Sequence, residues 1–321
     1  MFAIDGKSKT CDGRNDRHPA ADYHDCMPRL SVIIPTHRRS VILKRCLDHL
    51  ERQTTVKQIE VIVVSDGRDE ETRRVVSDRR SAMSIPMTCI DVAPCHQGTA
   101  RNRGVMEATG DHVLFIGDDI FLARDACEKH FATHERLADQ TKLIAHRSPL
   151  IAVLGHTTWD PAVGITDTMR WLETSGWQFG YPMIERYAHG FVPARFQHRF
   201  TYTSHISLPR AVALAHPFRE DVTLYGWEDI EWGLRLKNAG LKLFYEPDAK
   251  ALHHHHMTLE DSLRRVETLG RSARVMEALN PALHVMPRGW KRMTYDILSL
   301  LPTIRGRHAQ AFMRGVAHGE R

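Results

Sequence analysis

Apolar residues fall in two alternating rhythms along the first part of the chain. In LSVIIP (30–35) they run almost unbroken and are partly β-branched, the mark of a strand buried on both faces. In RRSVILKRCLDHLERQ, directly after it, Leu43, Cys46, Leu47 and Leu50 recur at the three-to-four spacing of an amphipathic helix. The alternation continues with EVIVVSD as strand, DEETRRVVSDRR as helix, MTCIDVA as strand, GTARNRGVMEATG as helix and HVLFIGDD as strand. Such an order predicts an α/β fold whose mainly parallel sheet carries helices on both faces. Ligands of open α/β sheets sit beyond the carboxyl ends of the strands, where Thr36, Asp66 and the adjacent Asp118 and Asp119 fall.

After about Leu137 the rhythm loosens. LIAVLGHTTW reads as a further strand, followed by a stretch rich in Trp, Tyr and Gly over 171–200 that suits the variable half of a site. Regularity returns with YGWEDIEWGLRLKNAG, a helix closed by Gly240, then LKLFYEP as strand and MTLEDSLRRVETLGRSARVMEAL as a long helix with Leu259, Leu263, Val266 and Leu269 on one face. The organisation expected is a flexible polar arm at 1–28, one half-domain at 29–137, a second at 138–257 and a helical extension at 258–321.

Composition narrows the function classes. The 42% hydrophobic and 26% charged residues are ordinary for a globular protein. The charge of +5, from 44 basic and 39 acidic residues, is spread along the chain, and no basic run of the kind that marks nucleic-acid patches occurs, so no nucleic-acid partner is expected. No apolar run reaches the roughly 18 residues of a spanning helix and the first residues lack the order of a secretory signal, so a cytoplasmic location is expected. From residue 288 onward basic and apolar residues alternate, which suits a peripheral membrane contact through 288–321. The six cysteines form no CxxC pair and read as reduced thiols, several of them core fillers.

Four features carry candidate chemistry. Asp118 and Asp119 end a buried strand and repel one another, so they either bind a divalent cation such as Mg²⁺ or Mn²⁺, which favours oxygen ligands, or form a solvated turn. Arg101 near a helix start suits an anion. In the histidine run 253–256, strand alternation places His253 and His255 on one face and His254 and His256 on the other. Glu228 and Asp229 open a helix whose dipole favours their ionised forms.

LSVIIPTHRR, EVIVVSDG, GTARNRGVMEATGDHVLFIGDDI and YGWEDIEWGLRLKNAGLKLFYEPDAKALHHH, in this order and spacing over residues 30–256, resemble the family 2 glycosyltransferases of the GT-A fold. The resemblance implies a Rossmann-like mixed, mainly parallel sheet flanked by helices. It also implies that Pro35, Thr36 and Asp66 hold the base and ribose of a nucleotide-sugar donor, Asp66 accepting the imide N–H of uracil in a UDP donor, with Arg101 near base and diphosphate. Asp118 is implied near the ribose and metal-bound water and Asp119 on the metal. One histidine of the run would complete the metal or diphosphate site, His254 before His253. Asp229 is implied as the base that deprotonates the acceptor, with Glu228 as its acceptor-binding neighbour. Three departures stand out: Ser65 replaces one of the usual two acids beside Asp66, Gly117 takes the first position of the D-x-D metal motif, and His205 stands at an Asn position. Trp227 and Trp232 either stack on a sugar or belong to the core.

The expected activity is inverting, Mn²⁺- or Mg²⁺-dependent transfer of one sugar from a UDP-linked donor to a hydroxyl of a glycan, a lipid-linked glycan or a small molecule, as in polysaccharide or glycoconjugate biosynthesis. The alternatives are a nucleotidyltransferase or sugar-nucleotide hydrolase, for which no GxxxxGK[ST] loop is present, and an inactive sugar-nucleotide-binding module.

Overall fold

The computed structural model describes residues 28–82, 84–142, 150–222 and 226–318. All but the last residue of the expected N-terminal arm lies outside them. The first half alternates as the apolar rhythm predicts: β1 (Leu30–Thr36), α1 (Ser40–Glu51), β2 (Ile59–Asp66), α2 (Glu70–Ala82), β3 (Met87–Val92), α3 (Gln97–Glu107) and β4 (His112–Ile116). A short β5 (Ile120–Leu122) and α4 (Ala126–Lys142) follow. The second half contains β6 (Ile151–Trp159), α5 (Asp167–Ser175), α6 (Tyr181–Ile184), β7 (Gly190–Phe191), β8 (His205–Pro209), α7 (Arg210–Ala215), α8 (Glu228–Asn238) and β9 (Lys242–His253). Three helices, α9 (Leu259–Leu279), α10 (Gly289–Ser299) and α11 (Ile304–His318), close the described chain.

One sheet runs through both halves in the order β3-β2-β1-β4-β8-β6-β9-β5, with β7 beside β9. The strands β1 to β4 pair in parallel, whereas β8 is antiparallel to β4 and β6, and β6 is parallel to β9. The boundary expected at 137/138 thus falls inside α4 and cuts no gap in the sheet.

Period-two alternation explains the two cores. Ile33, Ile62, Val113 and Phe115 face α3 and α7, while Val32, Ile34, Val61, Val63, Leu114 and Ile116 face α1 and α2. Leu43, Cys46, Leu47 and Leu50 of α1 are all buried in the second set, each apolar side chain contributing roughly 1.5–3 kcal/mol by leaving water. Cys46 and Cys127 are buried free thiols, as expected of core fillers.

The C-terminal helices pack on α8 and form a core of their own around Val266, Met276 and Phe312. Here α9 and α11 cross at backbone contact. A Cβ on Gly270 would lie 2.2 Å from the Phe312 carbonyl oxygen, and one on Gly315 would lie 2.0 Å from that of Glu267. The buried side of α9 therefore runs through Ser262, Val266, Gly270 and Ala273, and the expected leucines Leu263 and Leu269 flank it half-buried.

Candidate active site

The carboxyl ends of β1 and β4, the start of α8 and the end of β9 converge on a cavity of about 360 Å³. Pro35, Arg101, Asp118, Asp119, Glu228, Asp229 and His253 all line it, so most of the residues singled out in the sequence meet in one place. Two do not. Thr36 is buried and spends its hydroxyl on Asp118 (Oγ1 to Oδ2, 2.7 Å). Asp66 lines a separate hollow with His37, Pro94, Cys95 and His96, and its carboxylate accepts the Cys95 backbone N–H at 2.6 Å.

The repulsion between the paired carboxylates is answered in part by a residue without a sequence signal. Arg39, just before α1, donates from Nη1 to Asp118 at 2.7 Å and from Nη2 to Asp119 at 3.0 Å. Burial and the neighbouring Asp119 nevertheless push the Asp118 carboxyl up to about 6. Burial acts on Asp119 too, but hydrogen bonds from His253 and His255 together with Arg39 outweigh it and hold this carboxyl well below the usual range. Gly117 has a steric reason to be glycine. A Cβ there would stand 2.9 Å from Asp119 Oδ1, inside contact distance, so the bare backbone lets that carboxylate fold back toward the histidines.

Antiparallel pairing of β5 with β9 sets Ile120 opposite His253, and the His254 N–H donates to the Asp119 carbonyl at 2.8 Å. This register delivers the histidine run to the Asp pair. His253 Nε2 and His255 Nδ1 each lie 3.5 Å from Asp119 Oδ2. The three ligand atoms lie within 4.8 Å of one another, and a carboxylate oxygen with two imidazole nitrogens is a donor set that fits a divalent transition ion. His253 is clamped between Trp159 (stacked, 5.1 Å) and His255 (5.4 Å). Arg39 touches the same Oδ2 and competes with any ion bound to it.

The side chain of His254, preferred from the resemblance, does not face the Asp119 carboxylate. The alternation of the run does separate 253 and 255 from 254, but the face turned to Asp119 is the odd-numbered one. His254 instead bridges Asp160 (Nδ1 to Oδ2, 2.6 Å) and Arg45 (Nε2 to Nη1, 2.6 Å) and stacks on Phe121, tying the end of β6 to α1.

Asp229, in the first turn of α8, is held by one residue before β8: Thr203 donates to it from Oγ1 (2.7 Å) and from its backbone N–H (3.1 Å). Both carboxylate oxygens are thereby oriented. His205, at the departing position, lies buried beneath β6 instead of lining the cavity. Trp227 sends its indole N–H to the Leu269 carbonyl and packs on the C-terminal helices, and Trp232 is fully buried against Phe218. Both tryptophans are core. Asn102 likewise serves structure, bonding both backbone polar groups of Phe218, and Arg103 pairs with Glu220.

The profile of the family described as glycosyl transferase family 2 matches residues 31–145. Validoxylamine A glucosyltransferase of Streptomyces hygroscopicus is 27% identical over 238 residues, covering 70% of this chain and 54% of that protein. The uncharacterised glycosyltransferase YfnE of Bacillus subtilis is 23% identical over 267 residues, 71% of this chain and 65% of that one. Residues 31–145 are thus similar to the family 2 glycosyltransferases. The fold agrees: the mannosyltransferase PcManGT of Pyrobaculum calidifontis, solved with GDP-Man and Mn²⁺, superposes with a TM-score of 0.58 at 15% identity, over 92% of this chain and 87% of that one. TarS of Staphylococcus aureus does so with 0.50 at 16%, over 78% and 40%. The chain spans about half the length of the validoxylamine A relative.

Within this site, Glu228 is the electrostatic outlier. Burial, then repulsion by Asp229, pushes its carboxyl from 4.5 up to about 7, and its Oε2 is buried without a hydrogen-bond partner. A carboxyl that keeps its proton in the folded chain after the unfolded chain has lost it makes stability fall as pH rises from about 4.5 to about 7, and the loss stays constant above that. Glu228→Gln, which cannot ionise, is therefore expected to be more stable than the parent at pH 8, by an amount on the order of 2–3 kcal/mol, and equal to it near pH 4.5. Urea denaturation of both proteins at the two pH values checks this. A variant less stable than the parent at pH 8 would contradict the burial argument.

Proposed function

We propose that the chain transfers a single sugar from a nucleotide-linked donor to an acceptor hydroxyl, with inversion and with the help of a divalent ion. The observation that carries this reading is the meeting, in one cavity, of the Asp119, His253 and His255 cluster with Asp229 held by Thr203. Asp119, His253 and His255 would hold the ion, which when bound neutralises charge on the departing diphosphate. The two imidazoles favour Mn²⁺ over Mg²⁺, because Mg²⁺ prefers oxygen ligands throughout. Pro35, Arg101 and Asp118 face the nucleotide side of the cavity. Thr36 acts by fixing Asp118. Asp66 sits in the separate hollow, a place for the base, and a carboxylate there accepts the imide N–H of uracil, which supports a UDP donor.

Asp229 takes the acceptor proton while the hydroxyl oxygen attacks the anomeric carbon from the side opposite the departing diphosphate, so one displacement inverts the configuration. Glu228, protonated up to about pH 7, donates a hydrogen bond to the acceptor below that pH and loses this ability above it. Asp229 as proton acceptor and Glu228 as hydrogen-bond donor thus divide the work.

Thermal shift with UDP, GDP, ADP and CMP, each with and without Mn²⁺, tests the reading. Ligand at a hundred times its dissociation constant adds about 2.7 kcal/mol to stability, so UDP with Mn²⁺ is expected to raise Tm by several degrees. A Tm unmoved by every nucleotide in the presence of Mn²⁺ would sink it.

A membrane-facing role belongs to a narrower segment than 288–321. Among the described residues no helix is long and apolar enough to cross a membrane. The inner side of α11 is packed against α9, whereas α10 points Trp290 (77% exposed), Met293, Ile297 and, at its end, Leu300 (82%) outward at helical spacing. With Arg288, Lys291, Arg292 and Arg305 close in sequence, this face suits an anionic bilayer surface. Trp290→Ser with Ile297→Ser is expected to lower retention on phosphatidylglycerol vesicles at least tenfold with nucleotide binding unchanged. Equal retention of parent and variant in vesicle sedimentation would remove the assignment.

A further inference from the structure

A second cavity, of about 490 Å³, lies beside the active-site cavity and shares a wall with it, since Gln178 and Phe179 line both. Its volume is in the range of small-molecule sites. Its floor is the curled pair β6 and β9, and its lid is the segment from α5 to just beyond α6, the Trp-, Tyr- and Gly-rich stretch to which the nucleotide chemistry gives no task.

The wall is aromatic and rigidly held. Trp159 stacks on His253 of the proposed ion site. Tyr181 stacks on Tyr245 at 5.8 Å and donates its hydroxyl to the Gly155 carbonyl at 3.0 Å, and the Tyr245 hydroxyl meets His156 Nδ1 at 2.7 Å. Ring positions fixed by hydrogen bonds and stacking line the cavity with preorganised apolar surface at little entropic cost.

The polar part of the lining has a definite sign. Glu173, Glu185 and Asp248 bring three carboxylates, and Lys250 is the one ammonium among the lining residues. Carboxylates accept hydrogen bonds from hydroxyl or ammonium groups and repel phosphate. This balance is opposite to the anion-binding needs of a nucleotide or a phosphorylated sugar.

We propose that this cavity holds the acceptor, and that the acceptor is an uncharged or amine-bearing polyhydroxylated ring whose face packs on the aromatic wall while its hydroxyl or ammonium groups donate to Glu173 and Glu185. The inference rests on the transferase reading and names the acceptor class for it. The reactive hydroxyl passes Phe179 and Gln178 to reach Asp229. Glu173, Glu185 and Asp248 repel a phosphorylated acceptor, and the double variant that keeps Asp248 also lacks the two hydrogen-bond acceptors such a sugar would need.

Saturation-transfer NMR tests this with methyl glucoside, glucosamine and glucose 6-phosphate as probes, on the full chain and on Glu173→Gln/Glu185→Gln. Each hydrogen bond to a charged group is worth about a factor of ten or more in affinity. The first two probes are expected to bind the parent and to lose at least tenfold in the double variant, while glucose 6-phosphate binds neither. UDP binding with Mn²⁺, measured on the same samples, is expected to be equal in both proteins and shows that the variant is folded. Binding of glucose 6-phosphate as tight as that of methyl glucoside overturns the proposal, as does failure of both other probes to bind the parent or unchanged binding by the double variant. A parent chain that binds no nucleotide overturns the transferase reading instead, so the two failures are told apart.

Discussion

Asp229→Asn is expected to lower sugar transfer by roughly 10²–10⁴-fold while nucleotide and Mn²⁺ affinities stay at parental values, the signature of a lost general base. The geometry makes this substitution clean. An asparagine can turn its carbonyl oxygen to the Thr203 backbone N–H and donate its amide to the Thr203 hydroxyl, so both contacts of the carboxylate survive in altered form. What the amide cannot do is take a proton. Transfer rates at saturating donor and acceptor, compared with UDP affinity on the same preparations, separate chemistry from binding. Transfer at the parental rate would remove Asp229 from the mechanism and leave Glu228 as the other acid of α8 at the cavity wall. Loss of UDP affinity in parallel with rate would instead mean that Asp229 shapes the donor pocket.

The part of this site that could be read from sequence is the part set by local pattern. Uninterrupted apolar strands announce β1, β2 and β4, and the residue at which such a run turns polar is the residue at the sheet's carboxyl edge, which is why Asp118 and Asp119 are visible from a string of letters. The opposite holds for groups whose place depends on distant pairing. The strand β5 is three residues long and carries no period of its own, yet its register against β9 decides which face of the histidine run meets Asp119. Alternation sorted the four histidines into two faces, but only the register shows which face meets Asp119, and the His254 preferred from the resemblance lies on the other one. Arg39 and Thr203 were missed for the same reason. An arginine after a strand and a threonine among threonines have no distinguishing spacing, and their partners lie 79 and 26 residues away. For Trp227 the sequence left stacking on a sugar and packing both open: placed just before the acids of α8, it is turned by a left-handed backbone conformation (φ 68°) onto α9, where its indole caps a carbonyl.

Single substitutions in the histidine run should therefore behave oppositely according to their parity. His253→Ala and His255→Ala are each expected to weaken Mn²⁺ binding by more than the 10–100-fold typical of losing a residue that merely supports a ligand, since each removes a nitrogen that faces Asp119 Oδ2. Transfer should fall with it, and excess Mn²⁺ should restore part of the rate. His254→Ala leaves the three donor atoms in place. Its cost falls on the fold, because Asp160 and Arg45 lose the imidazole that joins them and Phe121 loses a stacked partner; the loss of hydrogen bonds to charged groups is worth about 1.5–3 kcal/mol. Isothermal titration with Mn²⁺ and a thermal melt of each variant read the two quantities independently. The outcome that would overturn the odd-face assignment is a His254 variant with normal melting and lost Mn²⁺ affinity, because a residue that only braces β6 against α1 has no route to such a result. An unchanged Mn²⁺ affinity in both odd-numbered variants would go further: it would leave Arg39 as the main counter-charge of the Asp pair, bonded as it is to both carboxylates at 2.7 and 3.0 Å, and would make the site one that handles a diphosphate with a guanidinium in place of an ion.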